Sequence, residues 1–581
     1  MPHSLPRPLA ALTARRGADV TAAAVLAILA TLVAYPRGLQ FPFALDDYTY
    51  LMPAAGLEPV TGGIRRWLAV RGYYELCLRM FGPQTLGWHL LAYAVHAGNA
   101  VWVFVLARKL GASRVQGWIA STLFAASPIA FTVLYWIACI QELGSGFLVL
   151  TAAFLLGYSR RPWWSVPAFA AAMLFKESVL VAPLVFVIVF GRRVARIAAV
   201  QLAVGIALFV AAGLHARMFD ARPEAPYATA YDITVLKNLA TQLVWLVSPW
   251  RAYPDRIAAP DGAMMLPAAL ALASVAIIAA VVRGHGLRAL TWALLWFAAL
   301  LAPVLPLRSH TFAYYSYVPQ IGLLMLLPAA LAGIGTWLSA RLRLASPAIA
   351  IGLLGMAATG GWIACAARNA RLHETLMLRD SEIPHDSVVR SAYVADGIMR
   401  SIRDAQLPDS IKRVTVISLP MDVAKVAQTP GQMKPGMVRQ RTNPVEMALR
   451  DGKLLALHFD GIGGDYRDSL TVADEAADTA IFFASGFRDL TRLPDAGEAY
   501  AIQAQGNLLG ERREAARHDL EAALRIRPDH AVSRVLLAGL EAESAHFDRA
   551  RTLIQGVDPS TIPAQLRPYL TRIQSLLSSA P

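Results

Sequence analysis

Between residues 18 and 366 the chain is a succession of eleven apolar runs, near 18–36, 86–107, 115–135, 143–158, 162–175, 178–191, 197–215, 264–282, 289–307, 312–335 and 346–366. A helix needs about 20 mostly apolar residues to cross a bilayer. Only a membrane offers a solvent in which so many apolar helices can lie side by side, so an α-helical polytopic membrane protein of about eleven spans is expected. Composition agrees: 56% of the 581 residues are hydrophobic and 16% charged, and mean hydropathy is +0.45. Soluble domains carry about 25% charged residues.

Lys and Arg exceed Asp and Glu by 54 to 40. The excess falls in short clusters between apolar runs rather than in a stripe with interleaved aromatics, which argues for cytoplasmic membrane loops and against a nucleic-acid partner. Arg15/Arg16, Arg108/Lys109/Arg114, Arg160/Arg161, Arg192/Arg193/Arg196, Arg283/Arg288 and Arg341/Arg343 recur at every second boundary between runs. The positive-inside rule then places the N-terminus in the cytoplasm and the segment after residue 366 on the far side. The run from Ala18 to Tyr35 is long for a signal-peptide core and reads as an uncleaved first span. Cys77, Cys139 and Cys365 are odd in number and scattered, so they suggest neither a disulfide framework nor a zinc motif.

Two stretches need special geometry. Residues 162–191 must hold a hairpin of two short helices broken at Lys176-Glu177, because one long helix would put one of its flanking arginine pairs on the wrong face. Residues 234–250 carry Lys237 and Asn238 and end at Pro249, as expected of an interfacial or re-entrant helix. This topology brings Asp46 and Asp47, Gln141 and Glu142, Lys176 and Glu177, and Arg308 and His310 to one face. Ionisable groups at membrane boundaries are costly, and four coincident loops point to a shared site rather than to four separate helix ends.

After Arg368 the sequence becomes soluble in character. Arg413–Leu419, Leu454–Phe459 and Thr479–Phe487 have strand length and composition and predict a small α/β segment. Farther on, Ala504 and Ala538, Ala516 and Ala550, Leu520 and Ile554, and Ala523 and Val557 repeat at a spacing of 34, with Pro528 and Pro563 closing the units. That period predicts tetratricopeptide-like helical hairpins, an architecture suited to holding a protein partner.

The stretches FPFALDDYTY (41–50), RGYYELCLRMFGPQTLGWHLLAYAVHAGNAVWVFVLARKL (71–110), LYWIACIQELGSGFLVLTAAFLLGY (134–158), MLFKESVLVAPLVF (173–186) and YYSYVPQIGLL (314–324) together resemble the GT-C membrane glycosyltransferases. The branch they resemble most is the protein-O-mannosyltransferase-related one, including its TMTC type, which joins such a membrane half to tetratricopeptide repeats. The resemblance covers most of residues 15–366. It implies a glycosyltransferase-like membrane domain over 1–366, an extracytoplasmic α/β domain over 367–494 and helical repeats over 495–581. The expected reaction is transfer of a sugar from a polyprenyl-phosphate carrier to a hydroxyl of a protein, glycan or lipid outside the cytoplasm, in a bacterial inner membrane.

Carried over residue by residue, the acidic pair of the first outer loop is Asp46-Asp47. A carboxylate that takes the acceptor's proton makes its hydroxyl a competent nucleophile; Asp46 is assigned that role, and Asp47 is the second candidate or a metal ligand. The departing phosphate needs cationic stabilisation, for which Arg71, Lys176, Arg308 and His310 are candidates. Each of these is also an ordinary snorkelling anchor for a span end. Glu142 and Glu177 would orient the cations or hold a divalent ion, although no His, Cys and carboxylate spacing specifies a metal. Where many relatives carry an Arg-Tyr motif before the tenth span, this chain has Tyr314-Tyr315, and Arg308 or His310 would replace the missing charge. The competing reading is a non-catalytic membrane scaffold that recruits partners through its repeats. A transporter would carry its charges deeper within the spans.

Overall fold

A computed structural model describes residues 7–60, 63–216, 228–247, 287–308, 311–343, 346–377, 384–417, 454–459, 461–467, 469–484 and 489–580, with a few isolated residues besides. Among them six helices are long and apolar enough to cross a membrane: Gly17–Ala34, Thr85–Lys109, Ile137–Tyr158, Arg192–Gly213, Gln320–Arg341 and Pro347–Thr375. Three shorter apolar helices accompany them, Pro162–Phe175, Glu177–Phe190 and Thr291–Leu301. The run at 264–282 and His310 lie outside the described residues.

The described chain divides into two compact units between Ala392 and Tyr393. The first is helical. Its elements are α1 (Arg7–Ala34), α2 (Asp46–Ala54), a π-helical turn Leu68–Tyr73, α3 (Tyr74–Phe81), α4 (Thr85–Lys109), α5 (Arg114–Ala125), α6 (Ala130–Tyr135), α7 (Ile140–Tyr158), α8 (Ser165–Phe175), α9 (Ala182–Phe190), α10 (Ala195–Ala216), α11 (Ile233–Val247), α12 (Leu287–Leu301), α13 (Gln320–Arg341) and α14 (Pro347–Thr375).

Several breaks follow from the chemistry of single residues. The run at 115–135 is two helices, α5 and α6, parted at Ser127-Pro128, where proline cannot continue the hydrogen-bond ladder. The hairpin at 162–191 turns at Lys176, whose backbone is extended (φ −157°, ψ 131°) between α8 and a 3-10 turn at Glu177–Val181. Its first arm packs closely on α7, since a Cβ on Gly144 would collide with the Phe175 ring. The apolar run at 312–335 becomes an α-helix late: residues Ala313–Ser316 form a 3-10 turn, and α13 begins only at Gln320, after Pro319. Helix α11 forms where the sequence predicts an interfacial segment and packs Leu243 against Phe297, Leu301 and Leu305.

The two ends of this bundle differ. At one end basic side chains lie against neighbouring helix termini: Arg114 pairs with Asp19 at 3.0 Å, Lys109 lies 5.3 Å from the Tyr158 ring centroid, and Arg196 lies 5.9 Å from that of Trp163. Polar groups in the interior of α4 turn inward, as they must in an apolar solvent. The His96 Nδ1 lies 2.7 Å from the Tyr317 hydroxyl, and Asn99 donates to the Leu143 carbonyl. Nearer the other end both ring nitrogens of His89 lie 2.9 Å from carbonyl oxygens, those of Phe41 and Leu134, which ties the loop after α1 to the end of α6.

A helix Ser387–Asp404 (α15) leads into the second unit, a four-stranded sheet followed by helical hairpins. Strands β1 (Arg413–Ile417), β2 (Gly463–Arg467), β3 (Thr479–Ala484) and β4 (Leu490–Arg492) lie in the order β2-β1-β3-β4, with only β3 and β4 antiparallel. The sequence predicts strands at the positions of β1 and β3. The apolar stretch Leu454–Phe459, also predicted as a strand, contains instead the short helix Leu455–His458 (α16), and the neighbouring strand β2 has the sequence GGDYR. Position beside β1, not apolarity, recruits β2 into the sheet. The hairpins are α17 (Ala496–Leu509) with α18 (Arg513–Ile526) and α19 (Ala531–Glu543) with α20 (Phe547–Ile554), followed by α21 (Arg567–Ser579). The repeating alanines 504, 516, 538 and 550 are all fully buried where these helices cross, as small residues at close helix contacts should be.

Candidate functional site

The acidic pair sits where α2 begins, and its two members part company. Asp47 is wholly buried. Its Oδ1 accepts from the Tyr74 hydroxyl at 2.8 Å and from the backbone N–H of Ala138 at 2.6 Å, and its Oδ2 accepts from the N–H of Ala44 at 2.8 Å. Burial pushes this carboxyl up to about 7 against the pull of those three donors, and the charge of Asp46 pushes the same way. With both oxygens engaged by protein donors, Asp47 braces the turn. Asp46 is exposed.

The backbone that presents Asp46 is strained. Leu45 has φ 48° and ψ −120°, a region that side chains other than glycine rarely adopt. Such strain persists only where the surroundings over-determine it. Here the Trp136 indole donates to the Ala44 carbonyl at 3.1 Å, the Asp47 amide donates to the same oxygen at 2.9 Å, and the Leu45 amide donates to the Ser391 hydroxyl at 2.9 Å.

Lys176 and Glu142 form an ion pair, with side chains only 6% and 4% exposed. The ammonium also lies 4.8 Å from the centroid of Tyr315 and 5.4 Å from that of Tyr314. Tyr314 stacks on Phe312 at 5.1 Å and meets Trp136 edge-on at 5.8 Å, so Trp136 touches both the strained Asp46 loop and the roof over Lys176. A void of about 10 Å³, room for one water, lies between Glu142, Ser178, Tyr315 and Pro319.

The remaining candidates go elsewhere. Glu177 meets a pair of arginines that sequence reasoning passes over. Arg66 grips it through Nε at 2.8 Å and a terminal nitrogen at 2.7 Å, and Arg65 reaches it at 3.1 Å. Arg66 is itself in the left-handed region at φ 51°. Arg71 lies in the π-helical turn, half-exposed, paired with Glu75 at 2.7 Å. Arg308 is exposed on a short bridge between 228–230 and 306–308; the Asp232 carboxyl is lowered by hydrogen bonds from Thr234 and, to a lesser extent, by the Arg308 charge. Arg71 and Arg308 therefore make none of their described contacts with the Lys176–Glu142 pair. A signal for Arg65 and Arg66 is present in the sequence, since two adjacent arginines on a loop assigned outside break the positive-inside rule. Among the described residues no three His, Cys, Asp or Glu side chains gather as a metal-ligand set.

No family model, curated protein or solved structure matches this chain. What the fold defines is a largely helical protein with several helices of membrane-spanning length and apolarity. That bundle also carries a strained loop with one exposed carboxylate, a buried lysine–glutamate pair and two arginines gathered on Glu177.

Proposed function

We propose that the chain is an integral membrane glycosyltransferase of the GT-C type, moving a sugar from a polyprenyl-phosphate carrier to a hydroxyl acceptor. The observation that carries this reading is the strained Leu45–Asp47 turn, which spends one carboxylate on bracing and leaves its neighbour exposed. In the reaction Asp46 takes the acceptor's proton as its oxygen bonds to C1 of the sugar. The bond from C1 to the phosphate oxygen breaks, and the electron pair leaves with the carrier phosphate. The guanidinium groups of Arg65 and Arg66, gathered on Glu177, supply cationic stabilisation to that developing phosphate. The buried Lys176, neutralised by Glu142, holds the Tyr314–Tyr315 roof and acts as a positioning residue.

In this protein eleven spans place the N-terminus in the cytoplasm and residues 367–581 outside it, in a bacterial inner membrane. The hairpins α17 to α20 are tetratricopeptide-like repeats that hold a protein partner. Incubation of the purified protein with a panel of polyprenyl-phosphate sugars, following released carrier, tests the reaction. Turnover that Asp46→Asn abolishes would support it, and no release with any donor would favour the scaffold. An extracytoplasmic-only reporter that is silent after Pro581 would overturn the topology.

A further inference from the structure

A second cavity, of about 220 Å³, opens between the end of α1 and the end of α14. Val33 and Ala34 line it from α1, Pro36 from the turn after it, Tyr135 from α6, and Ala367, Ala370, Arg371 and Glu374 from α14, with Arg37 at its rim. Val33 is 61% exposed, so the lower wall faces whatever surrounds the helices.

The charges in this cavity do not cancel. Glu374 is buried and both of its oxygens are engaged: Arg37 donates to its Oε2 at 2.8 Å and the Tyr135 hydroxyl to its Oε1 at 2.6 Å. Arg371 is exposed, and among the described residues its guanidinium has no hydrogen-bond or ion-pair partner. Two arginines and one carboxylate leave a net charge of +1. Both helices end here, and their carbonyl dipoles offset part of that charge. A guanidinium capping a helix needs no cavity beside it, however, and this one is smaller than the roughly 300–1,000 Å³ of a drug-sized ligand pocket. A chamber of that size, lined mostly by apolar side chains and carrying a net positive charge at its arginines, matches a headgroup whose tails run down the helix surface.

We propose that this cavity binds one anionic glycerophospholipid through its phosphodiester, with Arg371 and Arg37 on the phosphate and the acyl chains against Val33 and Ala34. Guanidinium pairs suit phosphate oxygens because their fork of donors matches the oxygen spacing. This site is independent of the glycosyltransferase reading: it would exist equally in a scaffold.

The test is lipid retention by the full chain, read by native mass spectrometry after purification in detergent and titration with dioleoyl phosphatidylglycerol. Wild-type protein is expected to keep one phosphatidylglycerol per chain and to prefer it over phosphatidylcholine. Arg371→Gln should weaken it by roughly tenfold or more, the loss of one charge-assisted hydrogen bond. Arg371→Lys should restore part of the binding, and Arg79→Gln, which alters a highly exposed arginine away from the cavity, should leave it unchanged. Equal retention by Arg371→Gln and wild type would overturn the site. Equal binding of phosphatidylcholine would overturn its preference for an anion. Glycerol phosphate binding as tightly as the lipid would show that the acyl chains add nothing and would overturn the lipid as the occupant.

Discussion

The two ends of the helical bundle use the same charged residue types in opposite ways. At one end Arg114 keeps half of its side chain exposed while it pairs with Asp19, and the other basic groups lie over aromatic rings or against helix termini. At the other, Lys176 and Glu142 pair out of solvent, Asp47 is sealed beneath three donors, and Arg65 and Arg66 converge on one carboxylate. Exposed charge obeys a statistical rule about loops, costs little, and can shift along the chain. Buried charge is expensive and survives only with partners in fixed places. The difference separates charge held by solvent from charge held by fixed partners, and single substitutions can strain it at several points.

The largest effect belongs to the exposed member of the acidic pair. Asp46→Asn should lower transfer from a polyprenyl-phosphate sugar by about 10²–10⁴-fold, the usual contribution of a general base. Because Asp46 is exposed, thermal unfolding in detergent should not move. Unchanged transfer at matched expression would take the base role away from this residue.

Glu142→Gln comes next and reads out as stability. It leaves Lys176 buried without its counter-charge, and loss of one partner from a buried pair typically costs about 3–5 kcal/mol. A midpoint within error of wild type would mean that water reaches Lys176 and that the two ends are alike after all. Combining Glu142→Gln with Lys176→Met should recover much of the loss, since an uncharged pair needs no compensation.

Asp47 sharpens the comparison through pH. The fold holds this carboxyl at about 7, above its ordinary 3.8, so the native state binds the proton more tightly than the unfolded one. Its contribution is then fully present below about pH 4 and is lost as pH rises through about 7. The wild-type protein should lose stability across that window relative to Asp47→Asn, and the difference between the two melting curves isolates the group from every other acid. A flat difference would mean that the Tyr74, Ala44 and Ala138 donors hold the carboxylate charged throughout.

The smallest effect is at the basic end. Arg114→Gln breaks a pair that is half in solvent, and exposed pairs are worth about 0–1 kcal/mol. A loss as large as that of Glu142→Gln would erase the distinction between the two ends.

Local polarity was legible in the chain itself. The runs at 86–107, 143–158 and 346–366 correspond to Thr85–Lys109, Ile137–Tyr158 and Pro347–Thr375, because hydropathy summed over one helix is a property of that helix alone. The turn at Lys176 was readable for a related reason: a lysine and a glutamate are costly in the middle of one long apolar helix, and so mark where it breaks. The acidic pair was readable as a pair but not as two roles, since nothing in Asp-Asp says which carboxylate the amides of Ala44 and Ala138 will face. Leu454–Phe459 misled because apolarity signals burial, and a short buried helix and a buried strand share it.

What the sequence by itself determined, then, is a series of apolar helices, the break at Lys176-Glu177, and the stock of charged residues at their ends. Only the tertiary structure decided which charges meet. Ala138 reaches Asp47 across 91 positions, Arg66 reaches Glu177 across 111, and Arg37 reaches Glu374 across 337. The physical reason is that burial is decided residue by residue along a helix, whereas the partner that makes a buried charge tolerable is chosen by how the helices pack.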